Sequence, residues 1–319
     1  MKFRAIGPKL FTTAAICFVL LLSLVGAQQA APHFSNSSLP SPPSAPARPK
    51  ILGIAGVRIH TTDLPTARGF FAMATLSEEP CVWCEKIPAA RFALGGHQLI
   101  ELDAAPTPVP SNLLAEITFS TNDLSALKRY FKSNNVSFTE HKDQYTPERI
   151  SVLDPEGHSI SFTKPSADLQ SIPPVPRIIH AGFIVRDRAA EDRFYKDILG
   201  FHVYWHGGMK DDETSWVDMQ VPDGTDWIEY MLNVPADADH HTLGVMNHIA
   251  LGVTDIRAVE KQLRKNGWKP GEEPKIGRDG KWQLNLYDPD DTRVELMEFK
   301  PAEKPCCSEY TGPHPGPNQ

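Results

Sequence analysis

Four residues in the second half of the chain have the types and the spacing to hold a metal. His180 ends the run Arg177-Ile178-Ile179-His180, and His248 stands in Asn247-His248-Ile249-Ala250. Each is followed, just under fifty residues later, by a glutamate in a strand-like segment: Glu229 in Trp227-Ile228-Glu229-Tyr230 and Glu295 in Val294-Glu295-Leu296. Imidazole nitrogen and carboxylate oxygen together suit Zn, Ni, Fe(II), Mn or Co. A lone histidine in an apolar run is more often a hydrogen-bonded core group, and a carboxylate between apolar neighbours is costly to bury unpaired. The paired placement changes that reading. Two copies of one unit, each giving a His near its start and a Glu near its end, surround one divalent ion, which pairs the charge and fixes the histidine tautomers. These residues predict a metalloenzyme.

The elements that position them recur along the chain. Apolar strand-like segments lead into Asp63, Asp123, Asp187 and Asp255, each just before a helical pattern. These aspartates read as helix N-caps and carry no chemistry. An aromatic pair follows the first three at one offset (Phe70-Phe71, Tyr130-Phe131, Phe194-Tyr195), and Gln262-Leu263 follows the fourth. Asp-Pro turns at Asp154-Pro155 and Asp288-Pro289 precede the last strand of the second and fourth copies. The unit is a strand, a helix, then two or three strands. Paired units give an N-terminal domain over residues 51–165 and a C-terminal domain over 177–300. Pro-rich segments mark a tether over 28–50, a linker from Ser166 to Pro176 and an irregular tail over 301–319.

At this point the residues resemble the vicinal oxygen chelate superfamily, which includes glyoxalase I, extradiol dioxygenases and the bleomycin and fosfomycin resistance proteins. The resemblance is strongest in RIIHAGFIVRDRAAEDRFYKDILGF, DWIEYMLN, NHIALGVTD and LYDPDDTRVELMEF. It implies an α+β fold of four βαβββ modules paired into two domains. It also implies a metal only in the C-terminal one, because the matching first-domain positions hold Gly56, Glu101, Glu116 and Ser161. His60 with Glu101 is a weaker alternative, better read as a strand end and an acidic loop.

Two chemistries follow from the resemblance. In glyoxalase I the metal stabilises an enediolate. By that likeness His180, Glu229, His248 and Glu295 are ligands, Glu295 is the base and Glu229 its counterpart, and the reaction is proton transfer next to a carbonyl (isomerase, epimerase or lyase). In extradiol dioxygenases two histidines and one carboxylate hold Fe(II). His180, His248 and Glu295 fit that set, and Tyr287 resembles the tyrosine those enzymes place beside it. The acid–base histidine of that family falls on Asp226, and Glu229 stands where an apolar residue is usual, so the sequence puts proton transfer first and ring cleavage second. A non-catalytic binding module is the third reading, and four retained ligand-type residues count against it. Asn233 matches a glutathione-binding position of glyoxalase I, yet Ile184 and Gly244 replace the arginines expected there. His202, Tyr204 and His206 alternate on one strand and share a face, which either lines the pocket or meets solvent. Trp216 and Trp227 offer an apolar wall, and His240-His241 reads as a solvated loop.

Composition narrows the partners. Over 319 residues the net charge is −7, with 41% hydrophobic and 22% charged residues and no basic run interleaved with aromatics, which excludes a nucleic-acid partner and favours a small-molecule substrate. Lys2, Arg4 and Lys9 before the apolar stretch Phe11 to Val25, with Val25-Gly26-Ala27 as a cleavage site, read as an export signal over 1–27. That leaves no stable membrane span, and it leaves a homodimer open. The cysteines beyond it, Cys81, Cys84, Cys306 and Cys307, are expected to form disulfides in preference to a zinc site; three pairings are open, and one that joins Cys81 and Cys84 to Cys306 and Cys307 would tie the first domain to the tail.

Overall fold

The computed structural model describes residues 46–74, 76–80, 89–142, 148–165 and 176–317. The export signal, most of the tether, residues 166–175 of the linker, and Cys81 and Cys84 lie outside the described residues. Among those described, no helix is long and apolar enough to cross a membrane.

Local sequence starts each module in the same way. Asp63, Asp123, Asp187 and Asp255 each accept a hydrogen bond from the backbone N–H three residues on, and so cap helices α1 (Leu64–Met73), α2 (Leu124–Ser133), α3 (Arg188–Asp192) and α5 (Ile256–Lys265). The second residue of each pair that follows (Phe71, Phe131, Tyr195, Leu263) is fully buried and pins its helix to a sheet. A further short helix, α4 (His240–Met246), precedes the fourth module. His240 and His241 form its first turn and stay exposed.

The strands form two mixed sheets. The first contains β1 (Ile51–Thr61), β2 (Ser77–Glu78), β3 (Ala89–Leu94), β4 (Gln98–Ala104), β5 (Leu114–Thr121), β6 (Thr139–His141), β7 (Arg149–Leu153) and β8 (Ser159–Thr163), in the order β2-β3-β4-β1-β5-β8-β7-β6. The second contains β9 (Arg177–Ile184), β10 (His202–Gly207), β11 (Trp216–Gln220), β12 (Trp227–Met231), β13 (His248–Val253), β14 (Lys275–Ile276), β15 (Trp282–Tyr287) and β16 (Arg293–Glu298), in the order β10-β11-β12-β9-β13-β16-β15-β14. In each sheet the first strands of two modules pair antiparallel at the centre, and each runs parallel to the last strand of its own module. This is the α+β arrangement of four βαβββ modules. Its consequence for function is that β9, β12, β13 and β16, which carry the four ligand-type residues, lie side by side.

The two sheets are joined reciprocally by the Asp-Pro turns. Glu156, in the β7–β8 turn, accepts hydrogen bonds from Arg186 N and Asp187 N just before α3, both at 2.6 Å. Asp290, in the β15–β16 turn, accepts from Thr62 N at 2.9 Å and Thr61 Oγ1 at 2.6 Å just before α1. Asp226 belongs to the same join. It pairs with Arg177 at 2.6 Å and accepts from Ile54 N at 2.9 Å while buried. It therefore holds the domains together and does not face the metal site.

Glu191 on α3 carries a pH dependence. Its side chain is fully buried beside Asp154, Oε1 accepts from Glu156 N at 3.0 Å, and Oε2 has no partner among the described residues. Burial first, then the Asp154 charge, push this carboxyl up to about 8. An unfolded glutamate ionises near 4.5, so between about 4.5 and 8 the unfolded chain gives up a proton that the folded chain keeps. Stability is expected to fall as pH rises through that window. Urea unfolding of Glu191→Gln should show a flatter profile, and an unchanged slope would mean that the proton sits elsewhere.

The described residues of the tail form neither helix nor strand, but they are fastened along β10. Thr311 N donates to Tyr204 O at 3.0 Å, Trp205 Nε1 to Cys306 O at 3.1 Å, and His206 N to Ser308 Oγ at 2.9 Å. Cys306 and Cys307 are disulfide-bonded to each other, which belongs to one of the three open pairings.

Candidate metal centre

Strand register brings the four ligand-type residues to one point on the concave face of the second sheet. His180 lies opposite Trp227 on β12 and Ala250 on β13, and Ala250 lies opposite Glu295 on β16. Gly182, two residues along β9, lies opposite both Glu229 and His248. Its lack of a side chain is required, because a Cβ there would fall 2.1 Å from Cε1 of His248. The imidazole lies across the bare backbone and reaches His180.

The donor atoms converge. His180 Nε2 and His248 Nε2 are 3.1 Å apart. Glu229 Oε2 is 3.1 Å from His248 Nε2 and 3.7 Å from His180 Nε2. Glu295 Oε2 is 3.7 and 3.9 Å from the same two nitrogens. His180, His248 and Glu295 form the group in which every ligand atom lies within 4.8 Å of every other.

The electrostatics fit a cation. Burial is the main cause that holds both histidines well below their ordinary value, so they are neutral, with lone pairs to give. His248 Nδ1 faces Met246 O at 3.3 Å, and Arg293 Nη2 donates to Nε2 at 2.6 Å. The Nε2 lone pair is thus on the site side of the ring, where the Arg293 guanidinium takes it and would have to yield it to an ion. Burial pushes Glu229 and Glu295 up to about 7, with Arg293 the main group pulling them back down. Two carboxylates and two lone pairs in one buried pocket are the donor set of a single divalent metal.

Around this centre lies a cavity walled by Trp205, Trp216 and Trp227, with Arg293 and Asn285 on its floor. The two tryptophans expected as a wall are there, joined by Trp205. Beside the centre stands a buried polar group that the sequence reading missed. Asp218 lies opposite Glu229 in register and is 3% exposed. Lys281 is fully buried, its Nζ 4.4 Å from the Trp227 ring centroid and 3.9 Å from Asp279 Oδ2. Burial lowers the Lys281 pKa and raises those of Asp218 and Asp279.

Other expected pocket residues stand differently. A bulge in β10 at Tyr204 breaks the alternation, since Val203 lies opposite Met219 and Trp205 opposite Asp218. His202 stays on the concave side. Tyr204 is buried against Trp227, Tyr310 and His314. His206, opposite the core residue Val217, falls on the other face. The shared face expected for these three is therefore corrected, and Trp205 takes the place at the cavity. Asn233 turns to Thr214 O at 3.1 Å, away from the centre. Tyr287 shares the sheet face of Arg293 and Glu295, but its hydroxyl donates to Glu272 at 2.7 Å. His60 pairs with Asp103 at 2.6 Å and not with Glu101. Arg293 could have been read from sequence, because it stands two residues before Glu295 on one strand and so shares its face.

Residues 177–296 match the model of the Glyoxalase/Bleomycin resistance protein/Dioxygenase superfamily. No curated protein sequence matches the chain. Among solved structures it is similar to native homoprotocatechuate 2,3-dioxygenase from Arthrobacter globiformis, at 20% identity over 80% of this chain and 82% of that one, with a TM-score of 0.57. It is also similar to the anaerobic complex of homoprotocatechuate 2,3-dioxygenase from Brevibacterium fuscum with 3,4-dihydroxyphenylacetate, at 19% identity over 85% of each chain, with a TM-score of 0.59. The likeness is one of fold, and it extends over both sheets.

Proposed function

We propose, from the match of residues 177–296 to the Glyoxalase/Bleomycin resistance protein/Dioxygenase superfamily model, that the chain is a single-metal enzyme cleaving a small catechol in the extradiol manner. The observation that carries this reading is the convergence of His180, His248 and Glu295 in the second sheet of a four-module chain. Two histidines and one carboxylate suit Fe(II) in oxygenases. The four-module likeness is to ring-cleaving dioxygenases, one of them holding a catechol with a carboxylate arm. This reverses the order that the sequence alone suggested.

Bound Fe(II) would supply Lewis-acid and one-electron chemistry to two neighbouring substrate oxygens. The chain's own residues do the rest. His180, His248 and Glu295 are the holding set. Trp205, Trp216 and Trp227 give an aromatic ring a dry, flat seat. Arg293 provides charge-assisted donors for an anionic diol oxygen. With Asp226 tied into the domain join, Glu229 Oε2 is the group placed to take a diol proton, and its pKa near 7 suits that task.

Glu229 also supports a second reading. Its carboxylate stands 3.1 Å from His248 Nε2, close enough to be a fourth ligand and to make the glyoxalase-like proton transfer the chemistry. An oxygen electrode separates the two. Fe(II)-loaded protein with 3,4-dihydroxyphenylacetate is expected to consume oxygen as the ring opens. Glu229→Gln should slow that uptake by about 10²-fold, the size of a lost general base, without removing iron. No oxygen uptake with any catechol, together with anaerobic proton exchange that Glu229→Gln abolishes, would favour the second reading.

A further inference from the structure

The first sheet repeats the concave face of the second with different side chains, and register fixes the correspondence. Arg58 lies opposite both Glu101 and Glu116, as Gly182 lies opposite both Glu229 and His248. Gly56 and Ser161 fall at the places of His180 and Glu295. Arg91 lies opposite Glu101 as Asp218 lies opposite Glu229. Arg149 lies opposite Thr163 as Gln283 lies opposite Met297. No imidazole stands at any of these positions. A guanidinium occupies the centre instead.

The result is a row of alternating charge across the sheet: Arg91, Glu101, Arg58, Glu116, Arg149. Arg58 Nη2 is 3.4 Å from Glu116 and 3.7 Å from Glu101. Arg91 Nε is 3.4 Å from Glu101, and Arg149 Nε is 3.7 Å from Glu116. Among the described residues of the row three arginines face two glutamates, and Arg149 at one end pairs with Glu116. The separations are longer than the roughly 2.7–2.9 Å of a tight charge-assisted bond. Arg149 Nε is buried and makes no hydrogen bond within the described residues. Lys164 adds a further positive charge to the lining. The hollow above the row is about 750 Å³ including its open mouth, and Ala55, Val57 and Leu99 give it apolar patches. Space, excess positive charge and planar donors suit an anion with an apolar body.

We propose that this N-terminal hollow is a second binding site, separate from the metal centre, for a small organic carboxylate whose charge is received by Arg91 and Arg149. Arg58 on β1 lies between the inward-facing carboxylates of the two flanking strands, β4 and β5, and counters their charge.

The test is calorimetric titration of the full chain with benzoate, and with inorganic phosphate for comparison. Wild type and Glu295→Gln are expected to bind benzoate equally, because Glu295 lies in the other sheet. Arg149→Gln and Arg91→Gln should each bind it at least about tenfold more weakly, the loss of one ionic hydrogen bond. The proposal is overturned if wild type does not bind benzoate at millimolar concentration, if phosphate binds in preference, or if Glu295→Gln weakens binding and the arginine variants do not. Should either arginine variant fail to fold, backbone amide shifts of the wild type on adding benzoate decide. Shifts confined to β1, β4, β5 and β7 support the site, and shifts confined to the second sheet refute it.

Discussion

Glu295→Gln is expected to lower turnover by roughly 10³-fold or more, about 4 kcal/mol of transition-state stabilisation. The side chain is almost wholly buried, and among the described residues its ion-pair partners are His180 and His248. Glutamine keeps its shape and removes its charge, so the histidines are left to hold a dication with one fewer anion. Metal content should fall with activity. Both enzymatic readings require this outcome, which makes the variant a test of the site and not of the reaction. Steady-state kinetics on metal-loaded wild type and variant measure it, and full activity in the variant would take Glu295 out of the mechanism.

Loading the metal-free protein with Fe(II) under argon is expected to raise its melting temperature by roughly 10 °C at a thousandfold excess over the dissociation constant. The physical reason is the desolvation of the donor set: two carboxylates pushed up to about 7 by burial, beside two neutral imidazoles. A metal pairs those charges. The sign of the pH dependence follows. Below about 7 the folded chain holds protons on Glu229 and Glu295, and these compete with the ion. The stabilisation should therefore grow as pH rises from about 6 to about 8. Scanning calorimetry with and without metal across that range checks it, and a shift independent of pH would place the metal on other ligands.

What the sequence disclosed was local or repeated. The four capping aspartates could be read because each acts on a backbone N–H three residues away. The ligand set could be read because His180 and His248 open equivalent strands, a coincidence that single residues do not offer. What stayed hidden depended on contacts between distant segments. The bulge at Tyr204 inverts the side on which His206 falls, and no residue type around it announces a bulge. Asp226 looked like a substitute for a catalytic histidine until its bonds to Arg177 and Ile54 tied it to the domain join. Lys281 would be read as a surface charge in any strand, yet it lies under Trp227. The arginine row of the first sheet needed register, because Arg58, Arg91 and Arg149 are separated by whole elements.

Both enzymatic readings depend on one coordination sphere, assembled from the third and fourth modules. An anomalous difference map from crystals of the iron-loaded protein tests it most directly. A single strong peak is expected at about 2.0–2.2 Å from Nε2 of His180, Nε2 of His248 and a carboxylate oxygen of Glu295. A peak between other side chains, or a fully loaded protein with no peak among these three, would contradict it.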